Sequence, residues 1–159
     1  LLISFKGLNS MANTKVTTVG TLAQKKVKRV LSVHVGDDFR AQAAALGAAT
    51  PAGNYYVANL PQDAVITDAY VVIDGVSNAA TAATVALGTA EGGAQIMAAV
   101  DIKTAVGVSG TLVGKLKTGT GMPVYMTLVY TGATTNYGSF TVVVEYCEFR
   151  KTSGEYTQF

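Results

Sequence analysis

The chain has no tryptophan, one cysteine, one histidine and three prolines among its 159 residues. A single cysteine, Cys147, excludes an internal disulfide, so the fold must be held by packing; in an apolar run such a thiol behaves as a small hydrophobe. The lone histidine, His34, has no second His or Cys at a ligand spacing, which leaves no metal-binding signature. Charge is also sparse, at 14% of residues against roughly 25% in ordinary soluble domains. Nearly half the residues, 49%, are hydrophobic, a poor composition for a disordered chain. Even so, Gly, Thr, Asn or Asp interrupts every apolar run well short of the roughly 20 residues that a membrane-crossing helix needs.

The few charges are segregated. Residues 11 to 40 hold six basic and two acidic side chains, a net of +4, whereas residues 41 to 102 hold no Lys or Arg and five acids, a net of −5. Such a split suits a basic arm that settles on an acidic neighbour, which includes another copy of the same chain. The dense basic run Lys25, Lys26, Lys28 and Arg29 lacks interleaved aromatics, so the stacking half of a single-strand nucleic-acid site is missing and no specific nucleic-acid partner is expected. Met11-Ala12-Asn13-Thr14 has the form of a translation start, which makes residues 1 to 10 either an upstream extension or a processed product. Those ten residues lack the three-part order of a signal peptide. The expected division is an extended N-terminal arm over residues 1 to 29 and one domain over residues 30 to 159.

What the chain does have is alternation. Val124 to Thr131 and Gly138 to Phe149 repeat with a period of two, which places Val124, Met126, Leu128 and Tyr130 on one face and Phe140, Val142, Val144 and Tyr146 on another. The short Gly/Asn-bearing link between them predicts a β-hairpin. Upstream, Leu31, Val33 and Val35 form the core side of a strand over 28 to 35, and His34 on the opposite side is expected to be buried or half-buried with its ring hydrogen-bonded. Asp37 to Gly47 reads as a short helix with an Asp cap and a terminal Gly. Strands follow over 54 to 60, over 65 to 74 with Val65, Ala69, Val71 and Ile73 inward, over 82 to 89 and over 95 to 102. A weak one near Leu112 to Leu116 lies in a Gly-punctuated stretch. Seven or eight short strands with almost no helix predict an all-β protein, an antiparallel β-sandwich or jelly roll.

Catalytic patterns fail on inspection. Gly110-Thr111-Leu112-Val113-Gly114-Lys115-Leu116 has one residue too few between its glycines for a phosphate loop, and Leu116 stands where Ser or Thr must meet Mg²⁺. Gly119-Thr120-Gly121 leads into a strand, not a helix N-terminus, so it offers no dipole to a dinucleotide. There is no Gly-x-Ser-x-Gly elbow. The expectation is a non-enzymatic protein without cofactor or metal. The eight tyrosines have apolar bodies and polar tips that suit interfaces. Residues 118 to 144 contain no Lys, Arg, Asp or Glu. That span reads either as a strand pair that meets another subunit, with Tyr125, Tyr130 and Tyr137 as interface candidates, or as a wide two-sheet core with Thr-rich outer faces.

The order of segments resembles a known class. A Pro/Gly turn is followed by LPQDAVITDAYVVID (60 to 74), ATVALGTAEGG (83 to 93), AAVDIKTAVG (98 to 107), VYMTLVYTGATTNYGSFTVVVEY (124 to 146) and SGEYTQ (153 to 158). This style is similar to small virion structural proteins of tailed bacteriophages, the capsid decoration or cement type. The resemblance implies a jelly roll or β-sandwich, commonly a homotrimer, on the outer surface of the head, where it clamps the major capsid protein. It also implies an N-terminal arm that makes the grip, here with Lys25, Lys26, Lys28 and Arg29 as candidates. A minor head-neck or tail structural protein, or a carbohydrate-binding β-sandwich on the virion surface using Tyr55, Tyr56 or Tyr137, is the alternative.

Overall fold

The computed structural model describes residues 27 to 45 and 51 to 148. Eight strands and one helix follow in order: β1 (Val27–Val35), α1 (Asp37–Ala45), β2 (Gly53–Leu60), β3 (Ala64–Gly75), β4 (Ala82–Gly88), β5 (Met97–Asp101), β6 (Gly107–Ser109), β7 (Met122–Thr131) and β8 (Ser139–Glu148). They build two four-stranded sheets. Sheet A has the order β1-β8-β3-β6, and sheet B the order β2-β7-β4-β5. Every pairing is antiparallel. First pairs with last, second with seventh, third with sixth and fourth with fifth. That is one long antiparallel hairpin rolled over on itself, the jelly-roll arrangement.

The alternating runs explain why the roll closes. β7 shows strict in-out alternation, with Met122, Val124, Met126 and Leu128 buried and their neighbours partly exposed. In β8, Phe140, Val142 and Val144 are buried likewise. These two rows meet Ile66, Ala69, Val71 and Ile73 of β3 and Ala83, Val85 and Leu87 of β4 in one apolar core. Burying each Val, Leu, Ile, Phe or Met side chain contributes roughly 1.5–3 kcal/mol before chain entropy is charged against it. The face assignments for β7 and β8 hold. Their pairing does not: β7 lies in sheet B and β8 in sheet A, so the expected hairpin is instead a crossing from one sheet to the other. Two fully apolar faces gain more by facing each other across a core than by lying side by side, where each would still need a cover.

Other expectations are corrected in detail. In β3, Ile66 is buried and Val65 only half-buried. A register shift between Ile66 and Asp68 inserts an extra residue, and one residue of slip exchanges the two faces of everything before it. His34 is exposed on the outer face of β1, its Nδ1 3.0 Å from Thr141 Oγ1. The ring is bonded as expected but not covered. At α1 the first helical bond runs from Arg40 N to the Gly36 carbonyl, 3.2 Å, which makes Gly36 the cap position, and the Asp37 carboxylate pairs with the Arg40 guanidinium. The expected terminal Gly47 lies outside the described residues.

The Gly-rich stretch resolves into an interrupted strand. β6 pairs with β3 through Gly107, Val108 and Ser109, after which the chain leaves sheet A and reaches sheet B. Leu112 bridges Met97, and the Val113 amide donates to the Ile96 carbonyl at 2.9 Å. It then returns to β3, where Lys117 bridges Val65 and the Ile66 amide donates to the Leu116 carbonyl at 3.0 Å. Residues 110 to 117 thus lace one open side of the sandwich. Gly110 makes the departure, with φ at +93° and Met97 Sδ at 2.8 Å from where a Cβ would stand. The anticipated strand over 112 to 116 is this lacing, and β6 just before it carried too little alternation to be seen.

Candidate interaction surfaces

The inner faces are taken up by the core, which leaves the outer faces, the loop ends and the sheet edges of the described residues within reach of other molecules. Loops after β1, β3 and β7 gather at one end, and polar side chains sew them together. Asn78 is the hub: its Oδ1 accepts from the amides of Thr135 and Asn136 at 3.1 and 2.8 Å, and its Nδ2 donates to Thr135 Oγ1 at 2.7 Å. Arg40 reaches from α1 to donate to the Gly138 carbonyl at 2.7 Å. Nothing in the local sequence around Asn78 advertises this role, because its partners lie 57 and 58 residues away.

The three candidate interface tyrosines fall in two places. Tyr130 and Tyr137 belong to the sewn end. Their rings meet edge to face at 5.0 Å, and the Tyr130 hydroxyl donates to the Tyr137 carbonyl at 3.1 Å. Burial pushes the Tyr130 phenol up to about 12, against a small opposing pull from Arg40. Tyr125 is on the outer face of sheet B, edge to face with the exposed Tyr56 at 5.7 Å.

The outer face of sheet B is partly roofed. After β4 the turn at residues 89 to 95 folds back across β7, and the Gly92 amide donates to Asn54 Oδ1 of β2 at 3.1 Å. Gly88 permits this approach, since a Cβ there would lie 2.4 Å from the Gly93 carbonyl carbon. Of the two readings of the uncharged span, the wide core with a Thr-bearing outer face describes what β7 forms within one copy: Thr127 is half-buried and Val129 and Thr131 are exposed.

Sheet A is different. Of the arm candidates, Lys25 and Lys26 lie outside the described residues, while Lys28 and Arg29 stand in β1. Lys28 Nζ is 2.6 Å from Glu145 Oε2, and Arg29 Nε is 2.6 Å from Glu148 Oε1. The hydrogen bond to Glu145 raises the Lys28 pKa above its ordinary value, although at a fully exposed position solvent screens most of the effect. The described residues carry six basic and nine acidic side chains, a net of −3, and residues 1 to 26 carry four lysines and no acid. The described residues and the segment ahead of β1 therefore have opposite signs. Among the described residues no three His, Cys, Asp or Glu side chains are grouped as a metal site would require, and no helix is long and apolar enough to cross a membrane.

Fold and topology together define a single eight-stranded jelly-roll module. No family model matches the sequence, and no curated protein matches it. Solved structures do share the fold. One is a chain of the acidic stable capsid structure of Helicobacter pylori bacteriophage KHP30, with a TM-score of 0.55 at 14% identity, over 78% of this chain and 92% of that one. Another is a chain of the cyanophage Pam1 capsid asymmetric unit, with a TM-score of 0.52 at 20% identity, over 79% and 86%. At these identities the likeness is one of fold.

Proposed function

We propose that the protein is a phage virion structural protein, a decoration or cement module that binds the outer surface of the head as a homo-oligomer and stabilises it by clamping the major capsid protein. One observation carries the reading: the sandwich corresponds to 92% and 86% of chains that come from two phage capsid structures, so those chains, too, are little more than one such roll. A rigid roll with an oppositely charged arm suits a protein whose work is attachment. A trimer is the expected state. In this reading the grip falls to the segment ahead of β1, with Lys25 and Lys26 meeting acidic capsid surface. Lys28 and Arg29, held by Glu145 and Glu148, brace its root.

The test is position and copy number on purified particles, by quantitative mass spectrometry and electron cryomicroscopy. Hundreds of copies on the head, with heads that lose thermal stability when stripped, support the proposal. A handful of copies at the tail vertex sinks it in favour of a neck or tail role. Removing residues 1 to 26, which spares β1, is expected to abolish particle binding and leave the sandwich folded.

A further inference from the structure

The two segments that flank the roll join it side by side. Val27, the first residue of β1, and Glu148, the last of β8, are Cα partners, so residues 1 to 26 and residues 149 to 159 meet the sandwich at one corner of sheet A. Partnered Cα atoms stand about 5 Å apart, which makes the corner one strand spacing wide. The other end of β1, where Val35 pairs with Phe140, belongs to the sewn end, about 26 Å away along the strand.

Charge separates along that axis. The flanking segments together hold six basic side chains and one acidic, a net of +5. Lys25, Lys26, Arg150 and Lys151 lie outside the described residues, yet each is within three residues of Val27 or Glu148, so the chain's own bonds hold their Cα atoms within about 11 Å of the corner. Cations so close together act on a facing surface as one patch. Among the described residues nearby, Lys28, Arg29 and Lys117 are offset by Glu145, Glu148 and Asp63, and Lys115 and Asp68 further up the sheet offset each other in number. The sewn end has the other sign: Asp37, Asp38, Asp74 and Asp101 stand against Arg40 and Lys103, a net of −2.

From this polarity we propose that the module stands on the head by the corner where both segments join it, with the sewn end turned away and with Arg150 and Lys151 sharing the grip given above to Lys25 and Lys26. The partner is a protein surface richer in acid than in base. The inference rests on the capsid reading and adds to it a footprint, an orientation and a part for the C-terminal segment. Duplex DNA suits the corner poorly. It presents one negative charge per about 1.7 Å of axis, and four carboxylates, those of Asp63, Asp68, Glu145 and Glu148, are set among the cations, whereas a protein surface can answer both signs. A second copy suits it little better, because the acids of its sewn end are mostly committed. Asp37 pairs with Arg40, and the Asp101 carboxylate accepts from the Lys103 amide at 2.7 Å and the Thr104 hydroxyl at 2.6 Å. Among the described residues that leaves Asp38 and Asp74 to meet four cations.

The experiment measures binding of the full chain to heads stripped of it, comparing the wild type with the double variant Arg150→Glu, Lys151→Glu at the corner and with Asp74→Lys at the sewn end. The double variant is expected to lose affinity at least about tenfold, since like charges then face each other, and Asp74→Lys to bind as the wild type does. Raising salt from about 0.1 M to about 1 M, which shortens the screening length from about 10 Å to about 3 Å, is expected to release the wild type. Wild-type binding that ignores salt overturns the proposal whether or not the variants fold. So does a double variant that binds like the wild type, or an Asp74→Lys protein that binds more tightly, which would put the sewn end on the shell. Random-sequence duplex DNA that binds as tightly as heads do, or corner-dependent self-association in analytical ultracentrifugation, overturns the choice of partner. A wild type that does not bind heads at all sinks the capsid reading itself, a result distinct from each of these.

Discussion

The two sheets share one core but differ in what they do with the surface left over. Sheet B has a bulge on one edge, a lacing segment on the other and a turn drawn across its outer face. Sheet A has two ion pairs between β1 and β8 and an exposed valine on each of its edge strands, Val30 and Val108. Sheet B is finished by these devices within its own chain, while sheet A ends on a straight nine-residue strand at one side and a three-residue strand at the other. Both depend on the same buried rows, so stability is common property and the finish of the outer surface is not.

Core substitutions put that shared stability to the strongest test. Phe140→Ala in β8 and Met126→Ala in β7, both at 0% exposure, are each expected to cost about 2–5 kcal/mol in denaturant unfolding, with one cooperative transition for both sheets. Two separate transitions would break the idea of a single core. Gly88→Ala attacks the cover of sheet B alone: its new methyl must displace the turn at Gly93, at about 1–3 kcal/mol, with faster amide exchange confined to residues 89 to 95. Replacing Asn78 by Ala removes three hydrogen bonds at the sewn end. The expected loss is about 1 kcal/mol, read by the same unfolding assay and by faster exchange over residues 132 to 138.

Alkaline titration sharpens the picture at that end. A phenol whose folded pKa stands above its unfolded value of 10.0 favours the folded state while protonated. Tyr130 therefore contributes stability fully present below pH 10 and lost as the pH rises towards about 12. Tyr130→Phe should remove that part of the pH dependence. The smallest effect is expected on sheet A, where Lys28→Ala should leave the melting temperature almost unchanged at physiological salt, since an exposed ion pair contributes little.

Much of the fold could be read from periodicity. The inner rows of β1, β7 and β8 are where alternation puts them, because a strand has only two faces and one of them must be dry. The failures have a common cause. The bulge in β3, the crossing between β7 and β8 and the escape of residues 110 to 117 to β5 each depend on a partner distant in sequence. His34 misled for the same reason: alternation placed it opposite the core, but whether that side was covered depended on the neighbouring chain. The candidate tyrosines were visible as residue types, but their places in the fold were not. Tyr125 lies on the outer face of sheet B beside Tyr56, and Tyr130 and Tyr137 pack edge to face at the sewn end.

By itself the amino-acid order determined that this chain would be a β-structure packed without staples, which residues of β1, β7 and β8 would be apolar inside, and that basic charge would exceed acidic over residues 11 to 40. Those are local properties, set by side-chain type and a period of two. Only the tertiary structure decided which strand lies beside which, which edges are closed and which valines are left in water. Pairing is a choice among distant partners, and exposure belongs to the assembled surface, not to any residue taken alone.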